Sequence, residues 1–120
     1  SEKFYSWTDN DGDLFSKINL DKMLANITLY WLTGCIGASF WPYYARHRSD
    51  WPISSDNPIL VPMAYSEFPK EIFSPPISLA SQYYKQISFW GEHKSGGHFA
   101  AMEKPRELAT DIDKFIKILL

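Results

Sequence analysis

A glycine-flanked histidine near the C-terminal end of the chain has the setting of a residue that does chemistry. His98 follows Gly96-Gly97, lies just past an apolar run at 86–90 that is typical of a strand, and precedes an amphipathic helical pattern. Open α/β sheets build their sites at the carboxyl ends of their strands. Because an imidazole there can take up and release protons near neutral pH, the pattern indicates a general base. On these residues alone, a loop histidine satisfied by backbone groups is the alternative.

A carboxylate stands in the same relation to a second apolar run. Residues 59–65 have the pattern of a short buried strand, and Glu71 follows them, 27 positions before His98. A carboxylate there could accept the ring N–H of the histidine and fix its tautomer. Glu67 and Glu103 are rival acids, since Glu67 is nearer the strand end and Glu103 lies at a helix start, where capping is the simpler role.

Two tyrosines could donate hydrogen bonds to an oxygen of a ligand. Tyr43 and Tyr44 come directly after Pro42, and a phenol can donate while staying neutral near pH 7. The other two histidines, His47 and His93, lack a comparable context. We therefore expect both of them at the surface.

The patterning of the chain predicts the elements that position these residues. Helical periodicity, caps and prolines mark the helices, and short apolar runs mark the strands. The predicted elements are a helix from Asn19, its N-cap, to about Thr33, a second helix beginning over 39–46, a loop over 47–58, a strand over 59–65, a turn over 68–73, a short helix over 79–84, a strand over 86–90 and a final amphipathic helix from Pro105. This order fits the tail of an α/β fold, because two strands cannot form a doubly wound sheet by themselves.

Composition excludes several classes of protein. The net charge of −2 over 120 residues provides no electrostatic footprint for nucleic acid. One cysteine, Cys35, excludes an internal disulfide and a thiolate-rich metal site, and we expect it to be a small buried hydrophobe. The acidic cluster over 9–13 lacks the glutamate that closes a calcium loop, so it reads as a solvated turn. We expect neither cofactor nor metal.

The chain contains no predicted membrane segment or leader. There is no run of 18 apolar residues, the minimum for a transmembrane helix. Residues 1–5 lack the basic-then-apolar pattern of a signal peptide. We therefore expect a cytoplasmic protein. The aromatic fraction of 17% indicates a core rich in rings, with some of them available to line a pocket for an apolar ligand.

Five stretches of the chain carry a family resemblance. They are Leu29–Gly34, Ser39–Tyr43, Val61-Pro62, Phe68–Glu71 and Gly96–Pro105. In this order they resemble the C-terminal half of epoxide hydrolases of the microsomal and juvenile-hormone type, including their bacterial relatives. The resemblance implies the C-terminal portion of an α/β-hydrolase fold: the end of the helical cap over residues 1–50, and the last two strands with their flanking helices over residues 51–120.

The resemblance implies hydrolysis of an epoxide to a vicinal diol in two steps. In the family an Asp carboxylate opens the epoxide while two tyrosines donate to its oxygen, and a histidine then activates the water that hydrolyses the resulting ester. By position, His98 corresponds to the general base, Glu71 to the orienting acid and Tyr43 to one of the tyrosines. The substrate would be a small apolar epoxide. Candidates for lining its pocket are Trp41, Tyr44 and Phe99.

The chain departs from the family pattern at the nucleophile. Its Asp residues do not lie on a strand-to-helix elbow, and the family places the nucleophile and the second tyrosine further upstream. We therefore expect the isolated chain to be inactive, and its partner to be a complementary N-terminal half or a second copy. One alternative is an inactive association module with an open sheet edge. Another is a different α/β-hydrolase reaction, that of an esterase or dehalogenase, which the Tyr43 stretch disfavours.

Overall fold

Two parallel strands and the helices around them make up the part of the chain that our computed structural model describes, residues 2–50 and 52–120. The element order agrees with an α/β arrangement in which helices lead into and out of a sheet. In chain order the elements are α1 (Glu2–Trp7), a 3₁₀ turn (Leu14–Ser16), α2 (Leu20–Thr33), α3 (Ile36–Ser39), α4 (Trp41–Arg46), β1 (Ile59–Glu67), α5 (Ile77–Tyr83), β2 (Tyr84–Glu92), α6 (Ala100–Glu103) and α7 (Pro105–Leu119).

The long helices begin and end where their caps predict. Asn19 Oδ1 accepts the backbone N–H of Asp21 over 2.7 Å at the start of α2, and Gly34 ends α2 with a left-handed φ of 65°. The second predicted helix is α4, which begins at Trp41 with Pro42 in its first turn, where the missing N–H of proline is tolerated. The short helix α3 precedes it and was not predicted. The sequence pattern did not predict the short helix α1.

The two strands pair in parallel and extend further than their apolar runs. β1 continues to Glu67 and β2 to Glu92, and these two residues are partners in the register. The register slips between Ile59 and Pro62, where proline has no N–H for the ladder. Residue Tyr84, predicted as the end of a helix, begins β2 because its backbone is extended. Parallel pairing brings the carboxyl ends of both strands to one edge.

The buried core lies beside the loop that carries His98 rather than beneath the sheet. Its centre is made of side chains from the first part of the chain, and rings from α1 and from the end of the His98 loop pack against it. The buried members are Leu14, Ile18 and Met23, and the partly buried ones are Phe4, Phe99 and Met102. The cluster thus joins the segments that the sequence predicts as cap and hydrolase core, and a boundary near residue 50 stays a prediction.

Large apolar faces of the helices are open to solvent. The chain exposes 8975 Å², whereas a folded monomer of 13.9 kDa exposes about 6,700 Å². Its radius of gyration is 16.7 Å, against about 14 Å for a compact chain of this length. On α2, Trp31 is 83% exposed, and on α7 the apolar stripe is half-exposed at Ile112 and Ile116. Cys35 is only half-buried. These faces have room for further packing.

The helices are short on the scale of a bilayer. The longer of the two main helices, α7, has 15 residues, and a membrane span needs about 20. Within residues 2–50 and 52–120, no single helix is long and apolar enough to cross a membrane. One pair, Leu20–Thr33 with Ile36–Arg46, could do so by length and composition alone, and it is bent by 116° at the break.

Candidate active site

His98 and Glu71 meet beyond the carboxyl ends of the two strands. The Nδ1 atom of His98 lies 2.7 Å from Glu71 Oε1, and the two side chains are 38% and 28% exposed. With Nδ1 donating to the carboxylate, Nε2 is the ring nitrogen that can accept a proton. The contact pairs an imidazole with a carboxylate that can orient it, at a place that solvent or a small molecule can reach.

Glu71 is held by the turn that follows β1. Its backbone N–H donates to the carbonyl oxygen of Phe68 over 3.0 Å, which closes the turn predicted over 68–73. The N–H of Ile72 donates to Glu71 Oε1 over 2.7 Å. The N–H of Lys70 donates to the carbonyl oxygen of Gly96 over 3.0 Å. The turn with the acid is therefore tied directly to the loop with the histidine.

The two glycines before His98 are required by close packing. Gly96 has a φ of +114°, and a Cβ built there would lie 2.7 Å from the ring of Phe68. A Cβ on Gly97 would lie 2.6 Å from the backbone oxygen of Trp7. Both positions are buried, so a side chain would push the loop away from the turn or from α1.

Replacing Gly97 with alanine is expected to destabilise the protein by about 1–2 kcal/mol. The clash is with a backbone atom, which cannot rotate away, so the loop must move and the contact between His98 and Glu71 weakens. The matched control is Gly37→Ala, because a Cβ there meets nothing within 4 Å and alanine favours a helix. Chemical denaturation of both variants measures the difference. Equal midpoints for the two would contradict the packing described here.

The N-terminal helix packs against the imidazole. The Trp7 ring lies edge-on to His98 with 5.0 Å between centroids, and the backbone N–H of His98 donates to the Trp7 carbonyl oxygen over 2.8 Å. His98 also meets the ring of Phe99 edge-on at 5.1 Å. Sequence reasoning missed Trp7, since nothing local to α1 signals a partner so far along the chain.

Tyr43 lies on α4 and reaches the base indirectly. The Nζ atom of Lys3 is 4.9 Å from the centre of the Tyr43 ring and 4.1 Å from that of Trp7. Because Trp7 also packs on His98, Lys3 and Trp7 stand between the phenol and the imidazole. Tyr43 also lines an apolar groove of about 780 Å³. Other side chains of that groove are Phe4, Ile27, Tyr30, Trp31 and Phe40.

The three residues suggested for the substrate pocket fall into two groups. Tyr44 stacks on Trp41 at 5.2 Å, and the guanidinium of Arg48 lies 4.0 Å from the Tyr44 ring. Phe99 instead stacks on Phe4 at 4.4 Å and packs into the core. The structure therefore brings Phe99 to the base, and it brings Trp41 and Tyr44 to each other.

The rival acids are engaged elsewhere. Glu67 accepts hydrogen bonds from the hydroxyl of Ser74 and from Trp90 Nε1, the latter over 3.2 Å. Glu103 accepts the backbone N–H of Phe99 over 3.1 Å, a capping role of the kind the sequence suggests. Of these acids, Glu71 is the one whose carboxylate contacts His98.

The expectation that His93 lies at the surface is wrong, whereas His47 is exposed as expected. The His93 side chain is 16% exposed, and its Nε2 lies 2.6 Å from Asp111 Oδ2. Its ring stacks on Phe68 at 4.3 Å, directly before the turn that carries Glu71. A signal was present in the sequence, because Asp111 interrupts the apolar stripe of α7, and a buried carboxylate needs a partner.

Asp111 ties α7 to both strand ends. Its side chain is 4% exposed, and it accepts a hydrogen bond from the Ser66 hydroxyl over 2.9 Å. Burial by itself raises the pKa of this carboxyl, but hydrogen bonds from His93 and Ser66, with the nearby charges of His93 and Lys114, hold that pKa below its usual value. We call Asp111, His93 and Ser66 the Asp111 bracket. It supports Phe68, and through Phe68 the turn with the acid.

Comparisons with known proteins connect this arrangement to one family. No family model matches the chain. A putative epoxide hydrolase of Stigmatella aurantiaca is 40% identical over 92% of the chain and 24% of its own length. Epoxide hydrolase 1 of Sus scrofa is 34% identical over 98% of the chain and 28% of its own length.

Solved structures give the same result at the level of the fold. Juvenile hormone epoxide hydrolase of the silkworm Bombyx mori superposes with a TM-score of 0.75 and 30% identity, over 97% of this chain and 31% of that protein. An enantioselective mutant of epoxide hydrolase from Aspergillus niger gives 0.74 and 31% identity, over 97% and 28%. The chain thus spans about a quarter to a third of the proteins it matches. By sequence and by fold, the chain is similar to a C-terminal segment of the epoxide hydrolases, and its fold is that of a C-terminal portion of an α/β-hydrolase.

Proposed function

We propose that this chain is the part of an epoxide hydrolase that supplies the general base, the acid that orients it and one proton-donating tyrosine. The observation that carries the proposal is the 2.7 Å hydrogen bond between His98 Nδ1 and Glu71 Oε1 at the carboxyl ends of two parallel strands. The likeness to epoxide hydrolases along nearly the whole chain supports it. The general base is His98, the acid is Glu71 and the tyrosine is Tyr43.

In the first step a carboxylate from the remainder of the enzyme attacks an epoxide carbon. A carbon–oxygen bond of the strained ring breaks, an ester bond forms, and the ring oxygen takes a proton from a phenol. Tyr43 is suited to this role because a phenol O–H can donate to the ring oxygen. The substrate we propose is a small apolar epoxide, as the likeness to epoxide hydrolases suggests. Tyr43 borders an apolar groove to which His98 and Glu71 do not contribute.

In the second step water hydrolyses the ester. His98 takes a proton from the water through Nε2, and the hydroxide attacks the ester carbonyl, which releases the diol and regenerates the carboxylate. The imidazolium then gives up its proton, which returns through solvent to the Tyr43 phenolate. Glu71 stabilises the imidazolium that forms and keeps Nδ1 protonated beforehand. One hard hydrolysis thereby becomes two easier steps. The net reaction adds one water to one epoxide.

The exposed apolar faces support a complementary partner. The accessible area exceeds that of a typical monomer of this mass by about 2,300 Å², which is as much surface as a stable protein interface buries in total. The partner we propose is the N-terminal part of the same enzyme, which would also cover the free edge of β1. A second copy of the chain is the alternative occupant. Analytical ultracentrifugation with and without the N-terminal part distinguishes the two.

The test is a chimaera in which this segment replaces the matching segment of the Bombyx mori enzyme, whose fold it shares. The chimaera is expected to convert styrene oxide, a small apolar epoxide, to its diol, whereas the isolated chain is expected to be inactive because base without nucleophile cannot form the ester. Chromatography of the diol measures both, and the unmodified insect enzyme is the control. A folded chimaera without turnover would contradict the proposal. Turnover by the isolated chain that depends on His98 would contradict the expected inactivity.

A further inference from the structure

The backbone on both sides of His98 is bound by carboxylates from outside the loop. The N–H of Gly96 donates to Asp9 Oδ2 over 2.8 Å, and the N–H of Phe99 donates to Glu103 Oε1 over 3.1 Å. Hydrogen bonds that end on an ionised carboxylate are stronger than neutral ones. The strands therefore do not position the loop alone, because two carboxylates hold the residues just before and just after the base.

Glu103 also binds the segment that carries Asp9. While its Oε1 accepts from Phe99, its Oε2 accepts the backbone N–H of Asp9 over 2.8 Å. A carboxylate can do this because it has two acceptor oxygens and no donor. A glutamine in its place would present an NH₂ group to one of the two N–H donors. The chemistry of the site therefore calls for a carboxylate at this position.

Close packing between Asp9 and Glu103 leaves the loop that carries His98 little freedom to move. A Cβ on Gly97 would lie 3.1 Å from the Asp9 nitrogen and 3.2 Å from Glu103 Oε1. The His98 ring is held separately, at Nδ1, by Glu71. The base is thus fixed at two points, its backbone by one pair of carboxylates and its ring by another acid.

We propose that Asp9 and Glu103 are positioning residues for the base, a pair we call the carboxylate clamp. The clamp sets the distance and angle at which the His98 ring meets Glu71 and the reacting water, without touching either. Its catalytic consequence rests on the function proposed above, whereas its effect on the His98 ring does not. Through Asp9 the clamp also makes the geometry of the base depend on the N-terminal segment that carries Trp7.

The test replaces Glu103 with glutamine and reads out the loop and the ring separately. In the isolated chain, amide hydrogen exchange of Phe99 and Asp9 is expected to rise about tenfold, as when one hydrogen bond to a charged group is lost. The nitrogen NMR signals of the His98 ring are expected to shift, because the Nδ1 contact with Glu71 changes. In the active chimaera, kcat is expected to fall about 10- to 100-fold with little change in KM. The matched control is Glu107→Gln, an exposed acid in the first turn of α7.

Each outcome decides the proposal. Unchanged amide exchange and unchanged ring signals would overturn the clamp. Faster exchange with ring signals and kcat as in the wild type would show a purely structural role, which also overturns it. A wild-type chimaera without turnover would refute the proposed function, while the ring signals of the isolated chain still decide the clamp. Should Glu103→Gln not fold, Asp9→Asn keeps the backbone donor to Glu103 and removes only the charge that binds Gly96. It is expected to speed the amide exchange of Gly96 and to shift the same ring signals of His98.

Discussion

Replacing His98 with glutamine in the active chimaera is expected to lower epoxide turnover by a factor of about 10²–10⁴, the usual contribution of general acid–base catalysis. Glutamine is close in size and can still hydrogen-bond to Glu71, but it cannot take a proton from water. The ester step does not need this base, so the enzyme should stop after it. The protein mass is then expected to rise by the full mass of one epoxide, because ring opening by a carboxylate releases no leaving group.

The comparison variants separate the base from general damage. His47→Gln removes an exposed histidine and is expected to leave turnover as it was. Glu71→Gln removes the charge that stabilises the imidazolium, and its NH₂ group can hold the ring in the wrong tautomer, so a loss of similar size, up to about 10⁴-fold, is expected. Turnover of His98→Gln at the wild-type rate, measured by diol formation, would refute the assignment of His98 as the base. Intact mass spectrometry after one turnover measures the trapped ester.

The second large effect concerns stability and is expected at Asp111. Asp111→Ala is expected to lower the free energy of unfolding by about 3 kcal/mol, the lower end of the range for breaking a buried ion pair. The loss leaves His93, only 16% exposed, and the Ser66 hydroxyl without their acceptor. The matched control is Asp113→Ala. That carboxylate is 60% exposed in its pair with Lys117, and such surface pairs contribute about 0–1 kcal/mol.

Because of the Asp111 bracket, the free energy of unfolding is expected to fall as the solution is acidified. Because the pKa of Asp111 is lower in the folded chain than its usual value of 3.8, its contribution is fully present above pH 4 or so and is lost as the pH falls through the folded pKa. The difference in unfolding free energy between wild type and Asp111→Ala is therefore expected to shrink from pH 6 towards pH 3. Urea denaturation at several pH values measures it. A difference that stays constant, or grows on acidification, would contradict the role of the ionised carboxylate.

Local patterns in the sequence are enough to predict the main helices, both strands and the contact between His98 and Glu71. The strand runs, the cap at Asn19 and the final helix from Pro105 depend on neighbours a few residues away, and the structure confirms them. The pairing of His98 with Glu71 was also within reach, because each follows a strand and parallel strands end at the same edge. The role of Tyr43 stays a prediction, since its link to the base runs through Lys3 and Trp7.

Contacts between distant segments could not be predicted in this way. The sequence marks Asp111, which interrupts the apolar stripe of α7, but His93 has no local sign of burial. Only packing of α7 against the strand ends decides that the two meet. The helix α1 and the carboxylate of Asp9 likewise meet the His98 loop across most of the chain. Hydrogen bonds of this kind depend on where the backbone folds, and no spacing rule connects such residues.

By itself, the sequence placed a histidine and candidate acids just past two strands and predicted the main elements that carry them, because periodicity and strand-end position are local properties. Only the tertiary structure decided how the base is held. Close approach of the backbone at Gly97, two carboxylates that accept N–H groups from both sides of His98, and a buried Asp111 behind the turn all arise from packing. Directional hydrogen bonds and excluded volume act between atoms that the fold brings together, whatever their separation along the chain.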